Sequence, residues 1–286
     1  MKNPCLTDGP AVISFSGGRT SGMMLYRILE AHSWVLPEDV HVLFANTGKE
    51  MPETLDFVRE CSERWAVPIV WLEYADHDTP QQRWRIVDHA TASRNGEPFA
   101  DLIGRNRLLP NPVTRICTSE LKIRPMKLYA QQVLGFEHWE VVIGYRADES
   151  RRVAKLSRPH REPYDRSAPL AKTGISAADV GAFWAVQPFD LALPNIGGKT
   201  MKGNCDLCFL KGAKQVYSLI REQPERADWW AAQESRIKSN GAGDGHLFRN
   251  DRPSYAAMQA LARDQGEMFP FDADDDFAIE DCACTD

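Results

Sequence analysis

Short apolar runs alternate with helix-period segments through the first half of the chain. Ala11–Phe15 (AVISF) is an apolar run that stops at a serine and two glycines and predicts a strand. Residues 21–31 carry Met24, Leu25, Ile28 and Leu29 at helical spacing. Residues 40–45 (VHVLFA) predict a second strand, and residues 53–65 a second helix with Leu55, Val58, Cys61 and Trp65 near one face. Residues 69–72 predict a third strand. This β-α-β-α-β order implies parallel strands joined by right-handed crossovers. Residues 76–111 are polar, with several arginines, and read as an irregular insertion near the active face. A helix over 121–134 and a strand over Trp139–Ile143 (WEVVI), ending at Gly144, complete the pattern.

The second half changes character. Helical spacing recurs over 176–186, with Ser176 as the N-cap, and over 213–221, 225–237 and 254–263. Between the last two, residues 239–245 (SNGAGDG) read as a flexible stretch, and the tail 272–286 is acidic. No internal repeat is visible. The expected architecture is α/β, with a parallel sheet carrying helices on both faces over residues 1–172. A helical, cysteine-containing extension follows over 173–286.

Bulk properties narrow the function. A hydrophobic fraction of 43% fits a soluble globular chain. No apolar run approaches the roughly 20 residues that span a bilayer, and MKNPCLTDGP lacks the apolar core of a signal peptide, so no membrane partner and a cytoplasmic location are expected. A net charge of −6 disfavours non-specific coating of nucleic acid. The insertion arginines Arg83, Arg85, Arg94, Arg105 and Arg107, with Trp84, read first as a solvated loop, and the seven histidines show no metal spacing.

The strongest local signal is SFSGGRTSG, placed between a strand and a helix. Gly17 and Gly18 admit close backbone approach to a ligand. The helix N-terminus presents unpaired N–H groups, and Ser16, Thr20 and Ser21 add hydroxyls, so the segment forms a phosphate site. It lacks the second glycine and the lysine of a G-x-x-x-x-G-K-[ST] loop.

SGGRTS resembles the SGGxxS signature of the PP-loop ATP pyrophosphatases. NTGKEMPET (46–54), RICTSELKIRP (115–125) and GYRADESRR (144–152) resemble, in order, three further segments of phosphoadenosine-phosphosulfate (PAPS) reductase-like proteins. GNCDLCFLKG (203–212) resembles phage-type members. The resemblance implies a Rossmann-like fold of the adenine-nucleotide α-hydrolase type, binding an adenine nucleotide at the carboxyl ends of the strands. It implies that Ser16, Gly17, Gly18, Arg19, Thr20 and Ser21 cradle phosphates, with Thr47 and Gly48 close by, and that Lys122, Arg146, Arg151 and Arg152 meet the anionic end of the substrate. Three departures stand out. Asn46 replaces the usual Asp, Arg19-Thr20 replaces the common Lys-Asp, and the tail EDCACTD replaces the reductases' E-C-G-x-H-type segment.

Seven cysteines in a reducing compartment favour metal or thiol chemistry over a disulfide framework. Cys205-x-x-Cys208 places two thiols on one turn, Cys117 lies in the third motif, and Cys282 and Cys284 are in the tail. Four thiolates suit a [4Fe–4S] cluster or Zn²⁺, and a C-x-x-C also suits a thiol–disulfide pair. The resemblance favours the cluster, on Cys117, Cys205 and Cys208, with Cys282 or Cys284 as the fourth ligand; the assignment taken is Cys282, which leaves Cys284 as a persulfide carrier. ATP, with Mg²⁺ between its phosphates, is the expected nucleotide.

Three functions follow. The first is ATP-dependent adenylation of an acceptor for sulfur insertion, with a nucleic acid as a candidate acceptor and a sulfur-donor protein such as a cysteine desulfurase as partner. The second is reduction of adenylyl sulfate or its 3′-phosphate with release of sulfite. The third is a nucleotide-binding regulatory or defence module without turnover.

Overall fold

The computed structural model describes residues 3–196, 199–238 and 247–264. In chain order its elements are β1 Ala11–Phe15, α1 Arg19–Ala31, β2 Val40–Asn46, α2 Pro52–Arg64, β3 Ile69–Glu73, β4 Arg85–Val87 and α3 Glu97–Asn106. A π-helical stretch over Thr118–Ile123 runs directly into α4 Arg124–Gln132, followed by β5 Trp139–Ile143, α5 Ser150–Leu156, β6 Tyr164–Ser167 and α6 Pro169–Lys172. The remainder comprises α7 Ala177–Ala185, the short hairpin β7 Asn195–Ile196 and β8 Lys199–Thr200, then α8 Ala213–Glu222, α9 Ala227–Lys238 and α10 Tyr255–Asp264. The flexible stretch read over 239–245 and the acidic tail, with Cys282 and Cys284, lie outside the described residues.

Six strands form one sheet in the order β4-β3-β2-β1-β5-β6. All neighbours pair in parallel except β4, which runs antiparallel to β3. The α/β Rossmann-like reading therefore holds, and the order reverses at β1. Strands that follow β1 by short crossovers build one side, and β5 and β6 build the other. The crevice outside the carboxyl ends of β1 and β5 is the topological switch point, where ligands bind in open α/β sheets.

Strand alternation sends side chains to two cores. Ala11, Ile13 and Phe15 of β1 join Val42, Phe44 and Trp71 beneath α1, α2 and α7. Val12, Leu43 and Leu72 face the opposite way and pack with Tyr129, Trp139 and Tyr164 beneath α4. A third cluster beyond the sheet gathers α3 with α8, α9 and α10 around Phe99, Trp230, Phe248 and Tyr255, all at most 1% exposed. Ser176 caps α7 through a complete capping box with Asp179, as its sequence position predicts.

The insertion read over 76–111 is corrected by the structure. It contains β4 and α3, and Phe99, Leu102 and Ile103 bury the inner face of that helix. Four of its arginines are tied to protein acceptors: Arg83 to His77 O, Arg94 to His89 O, Arg105 to Asp76 and Arg85 to Glu73. Trp84 packs on Tyr129 and donates to Gln132. The helix expected over 121–134 begins as π-helix, a wide turn that recurs at functional sites.

A cationic cleft at the switch point

The loop after β1 closes on itself. Ser16 donates through both its N–H and its hydroxyl to Ser21 Oγ (3.2 and 2.9 Å), and Ser21 Oγ donates to Gly18 O (2.9 Å). Gly17 has φ +78°, and a Cβ there would stand 2.7 Å from Thr54 Cγ2, so this position excludes any side chain. The loop after β5 reaches across the switch point, where Arg146 Nη1 donates to Thr20 Oγ1 (3.0 Å). Arg146 is steadied by Asp148 (3.0 Å) and Glu149, and its N–H donates to Glu149 Oε2 (2.8 Å).

Between the sheet and the π-helix, α4 and α5 lies a cleft of about 260 Å³. Ser16 stands at the β1 end. Val12, Met126, Val141 and Ile143 form an apolar floor, with Trp139, Tyr145 and Tyr164 among the walls. Six cations line it: Arg115, Lys122, Lys127, Arg152, Lys155 and Arg166. Among the described residues no carboxylate does. The balancing acids stand behind the wall: Glu50 is 3.8 Å from Lys122, Glu162 is 2.6 Å from Lys127, and Glu149 pairs with Arg152. The Arg152 guanidinium also lies 4.3 Å over the Tyr145 ring. Arg166 donates to the carbonyls of Lys155, Leu156 and Arg158, which fixes the end of α5 against β6. Burial, with Glu162 adding to it, pushes the Tyr164 phenol up and keeps it a neutral wall. Gathering like charges around a low-dielectric pocket focuses a positive potential, which suits an anionic ligand with an apolar body.

The residues singled out in the sequence distribute unevenly around this cleft. Lys122 and Arg152 line it, Ser16 marks its mouth, and Arg146 joins the two flanking loops through Thr20. Arg151 is exposed and is not among the lining residues. Arg19 is buried and points away from the cleft, its guanidinium spent on Asp190, Thr200, Leu191 O and Leu193 O. Arg115 lies in the third motif but was given no role there, and Lys127, Lys155 and Arg166 went unread, because nothing local marks them. They meet only through the tertiary fold.

Thr47 and Gly48 sit at the end of β2, in contact with the C-x-x-C. Thr47 donates through its N–H (2.9 Å) and Oγ1 (2.8 Å) to Glu50 Oε2, and its Oγ1 is 3.4 Å from Cys205 Sγ. Gly48 takes φ +77° and donates to Asn46 Oδ1 (3.0 Å). Asn46, where the resembling family has Asp, donates to Glu73 Oε1 (2.6 Å) and Ser93 O (2.8 Å), and both Asn46 and Glu73 are fully buried. In this chain an amide at 46 is what a buried glutamate at 73 requires.

The C-x-x-C turn is held from several sides. Lys49 pairs with Asp206 (3.0 Å), both buried, and lies over Trp229. Trp230 Nε1 donates to Asp206 Oδ1 (2.9 Å), Tyr255 OH donates to Leu207 O (2.6 Å), and Lys211 Nζ donates to the carbonyls of Gly203 and Cys205. Cys205 and Cys208 are buried in the third cluster, and Cys117 packs against it from the head of the π-helix. Among the described residues, however, no three His, Cys, Asp or Glu side chains are placed to hold a metal ion. The described thiols therefore do not by themselves make a site for the expected [4Fe–4S] cluster or zinc. Cys61 is inert packing, its thiol pushed well up by burial.

The phosphoadenosine phosphosulfate reductase domain model matches residues 10–171, which contain every residue of the cleft. An uncharacterised nin region protein of Escherichia phage lambda is 31% identical over 211 residues, covering 72% of this chain and 67% of that protein. An uncharacterised protein of Methanocaldococcus jannaschii is 27% identical over 160 residues, 54% of this chain but 26% of that protein. A crystal structure of PAPS reductase from Candida auris, in a phosphate complex, superposes with a TM-score of 0.41 at 18% identity, covering 68% of this chain and 84% of that one. Among the described residues no helix is long and apolar enough to cross a membrane. The chain belongs to the phosphoadenosine phosphosulfate reductase domain family, an enzyme family of nucleotide-related sulfur metabolism.

Proposed function

We propose that the cleft binds an adenine nucleotide and that the chain uses ATP to adenylate an acceptor for sulfur insertion. The observation that carries the reading is a cleft lined by six cations and, among the described residues, by no carboxylate, with an apolar floor and the Ser16–Ser21 loop at its mouth. The base and ribose would lie on the apolar floor. The phosphates would extend toward the loop N–H groups, Lys122 and Arg152, with Mg²⁺ carried in by the polyphosphate. Attack of an acceptor oxygen on the α-phosphorus releases pyrophosphate, and the charge that builds on the leaving group faces preorganised donors. The outer sulfur of a persulfide, delivered by a partner such as a cysteine desulfurase, then displaces AMP and leaves a disulfide between acceptor and carrier, which a dithiol reduces to free the thiolated acceptor. A nucleic acid is the acceptor class this reading favours.

The family match supports a second reading, in which adenylyl sulfate or its 3′-phosphate occupies the same cleft and is reduced to sulfite. The paired thiols of Cys205 and Cys208, on a turn closed by Cys208 N–H to Cys205 O (3.3 Å), would supply the electrons. One experiment separates the two. The purified full chain is incubated with ATP, Mg²⁺, a persulfide donor and single-stranded nucleic acid, and in parallel with adenylyl sulfate and a dithiol. Pyrophosphate in the first arm supports adenylation. Sulfite in the second, without pyrophosphate in the first, replaces it with reduction. Nucleotide binding with neither product leaves a non-catalytic module.

A further inference from the structure

The phosphate loop departs from the resembling motif at Arg19 and Thr20, and these two side chains tie the loop to the rest of the molecule. Thr20 receives Arg146, as described. Arg19 does more. It is 5% exposed, and its guanidinium grips Asp190 with two parallel bonds, Nε to Oδ1 (2.7 Å) and Nη2 to Oδ2 (2.8 Å). Nη1 donates to Thr200 Oγ1 (2.9 Å), and Nη2 also reaches Leu191 O and Leu193 O. From the other side Trp184 Nε1 donates to Arg19 O (2.7 Å). Trp184 packs so closely on α1 that a Cβ at Gly22 would stand 2.6 Å from its ring. Trp184, Asp190, Leu191, Leu193 and Thr200 thus hold the first turn of α1 by side chain and backbone together.

We propose that the Arg19–Asp190 clamp is a positioning device that sets the affinity of the Ser16–Ser21 loop for its anion, making the segment after α7 a working part of the nucleotide site. The proposal rests on the nucleotide reading above. Neither Arg19 nor Asp190 lines the cleft, so neither acts by touching the ligand there. An anion loop binds well when its N–H groups are already aimed, because ordering them on binding subtracts from affinity. A planar fork can hold a carboxylate and two carbonyls at once, whereas a lysine ammonium at the same place keeps the charge but not the fork. That difference separates a clamp from a phosphate contact.

The test uses the full chain with Arg19→Lys and Asp190→Asn. ATP with Mg²⁺ is titrated calorimetrically, and amide hydrogen exchange is followed over residues 16–22. The clamp predicts faster loop exchange in both variants and ATP binding weakened about ten-fold, the equivalent of one hydrogen bond to a charged group. Normal ATP affinity in both variants, with unchanged loop exchange, overturns it. So does an Arg19→Lys variant that binds normally while Asp190→Asn does not, since charge alone would then suffice at position 19. If the wild type shows no affinity for ATP, the nucleotide reading falls instead. The exchange measurement then decides the clamp alone: faster exchange supports it and unchanged exchange refutes it.

Discussion

Asn46→Asp replaces one atom and should cost this protein a large share of its stability. Asn46 Nδ2 now donates to Glu73 Oε1 at 2.6 Å and to Ser93 O at 2.8 Å, in a site where both side chains are fully buried. The substitution deletes both bonds and sets a second carboxylate oxygen against the first. Glu73 keeps Ser93 N–H, Ser93 Oγ and Arg85, but Arg85 is half exposed and already engaged, so it cannot neutralise two buried charges. Breaking a buried polar pair in this way costs about 3–5 kcal/mol, against a total stability of about 5–15 kcal/mol for a domain. Two carboxylates this close share one proton in the folded state. Folding of the variant therefore takes up a proton that the unfolded chain, at neutral pH, does not hold. Its deficit therefore grows as the pH rises above the ordinary carboxylate range and shrinks as the pH falls back toward it. Urea denaturation of wild type and variant from about pH 5 to about pH 8, just above the ordinary carboxylate range, measures this directly. The double substitution N46D/E73Q should recover at least half of the loss, because one carboxylate then faces an amide. A variant within about 1 kcal/mol of wild type at pH 7, with no change in pH dependence, would refute the account of Asn46 as the partner that Glu73 requires.

Two further outcomes follow from the same coordinates. Lys155→Glu, on the exposed side of α5 but lining the cleft, should leave the melting temperature unchanged and weaken ATP binding roughly ten-fold at low salt, less at high salt. Equal affinities by calorimetry would move the anion out of this cleft. Glu234 on α9 accepts from Phe248 N–H (3.3 Å) and Tyr255 N–H (3.0 Å), and burial raises its carboxyl above the usual value despite those bonds. A raised folded-state value means stability gained as the pH falls through it and lost as the pH rises. Relative to Glu234→Gln, the wild type should thus gain in urea midpoint on acidification, and a constant difference across pH would contradict the assignment.

Much of the sheet was legible because β1, β2, β3 and β5 are continuous apolar runs bounded by turn residues, the pattern of strands buried on both faces. β4 was not: Arg85 and Ile86 are exposed, and three residues at a sheet edge leave no period to detect. α3 carries Phe99, Leu102 and Ile103 at helical spacing, but Pro98 and Gly104 punctuate it and hid the pattern among arginines. β6 reads YDRS, with one apolar side chain, and is a strand because β5 offers it an edge. At the site, Ser16 stood out in its glycine-rich loop, and Lys122 and Arg152 through the motifs that resemble those of the family. Arg115, Lys127, Lys155 and Arg166 come from separate elements, and their convergence is a property of the closed sheet rather than of any window of sequence. Arg19 illustrates the opposite case, where local spacing pointed to phosphate and tertiary contacts took the side chain elsewhere.

The C-x-x-C turn is built like a socket rather than like a knot. In small metal-dependent domains the ion holds the cysteines together, and its loss unravels the chain. Here the shape of 203–211 is set by Lys49, Lys211, Trp230 and Tyr255, none of which depends on the sulfur atoms. A chemical change at either sulfur would therefore be a local event, because the contacts that shape the turn are made by carboxylate, carbonyl, amine, indole and phenol groups.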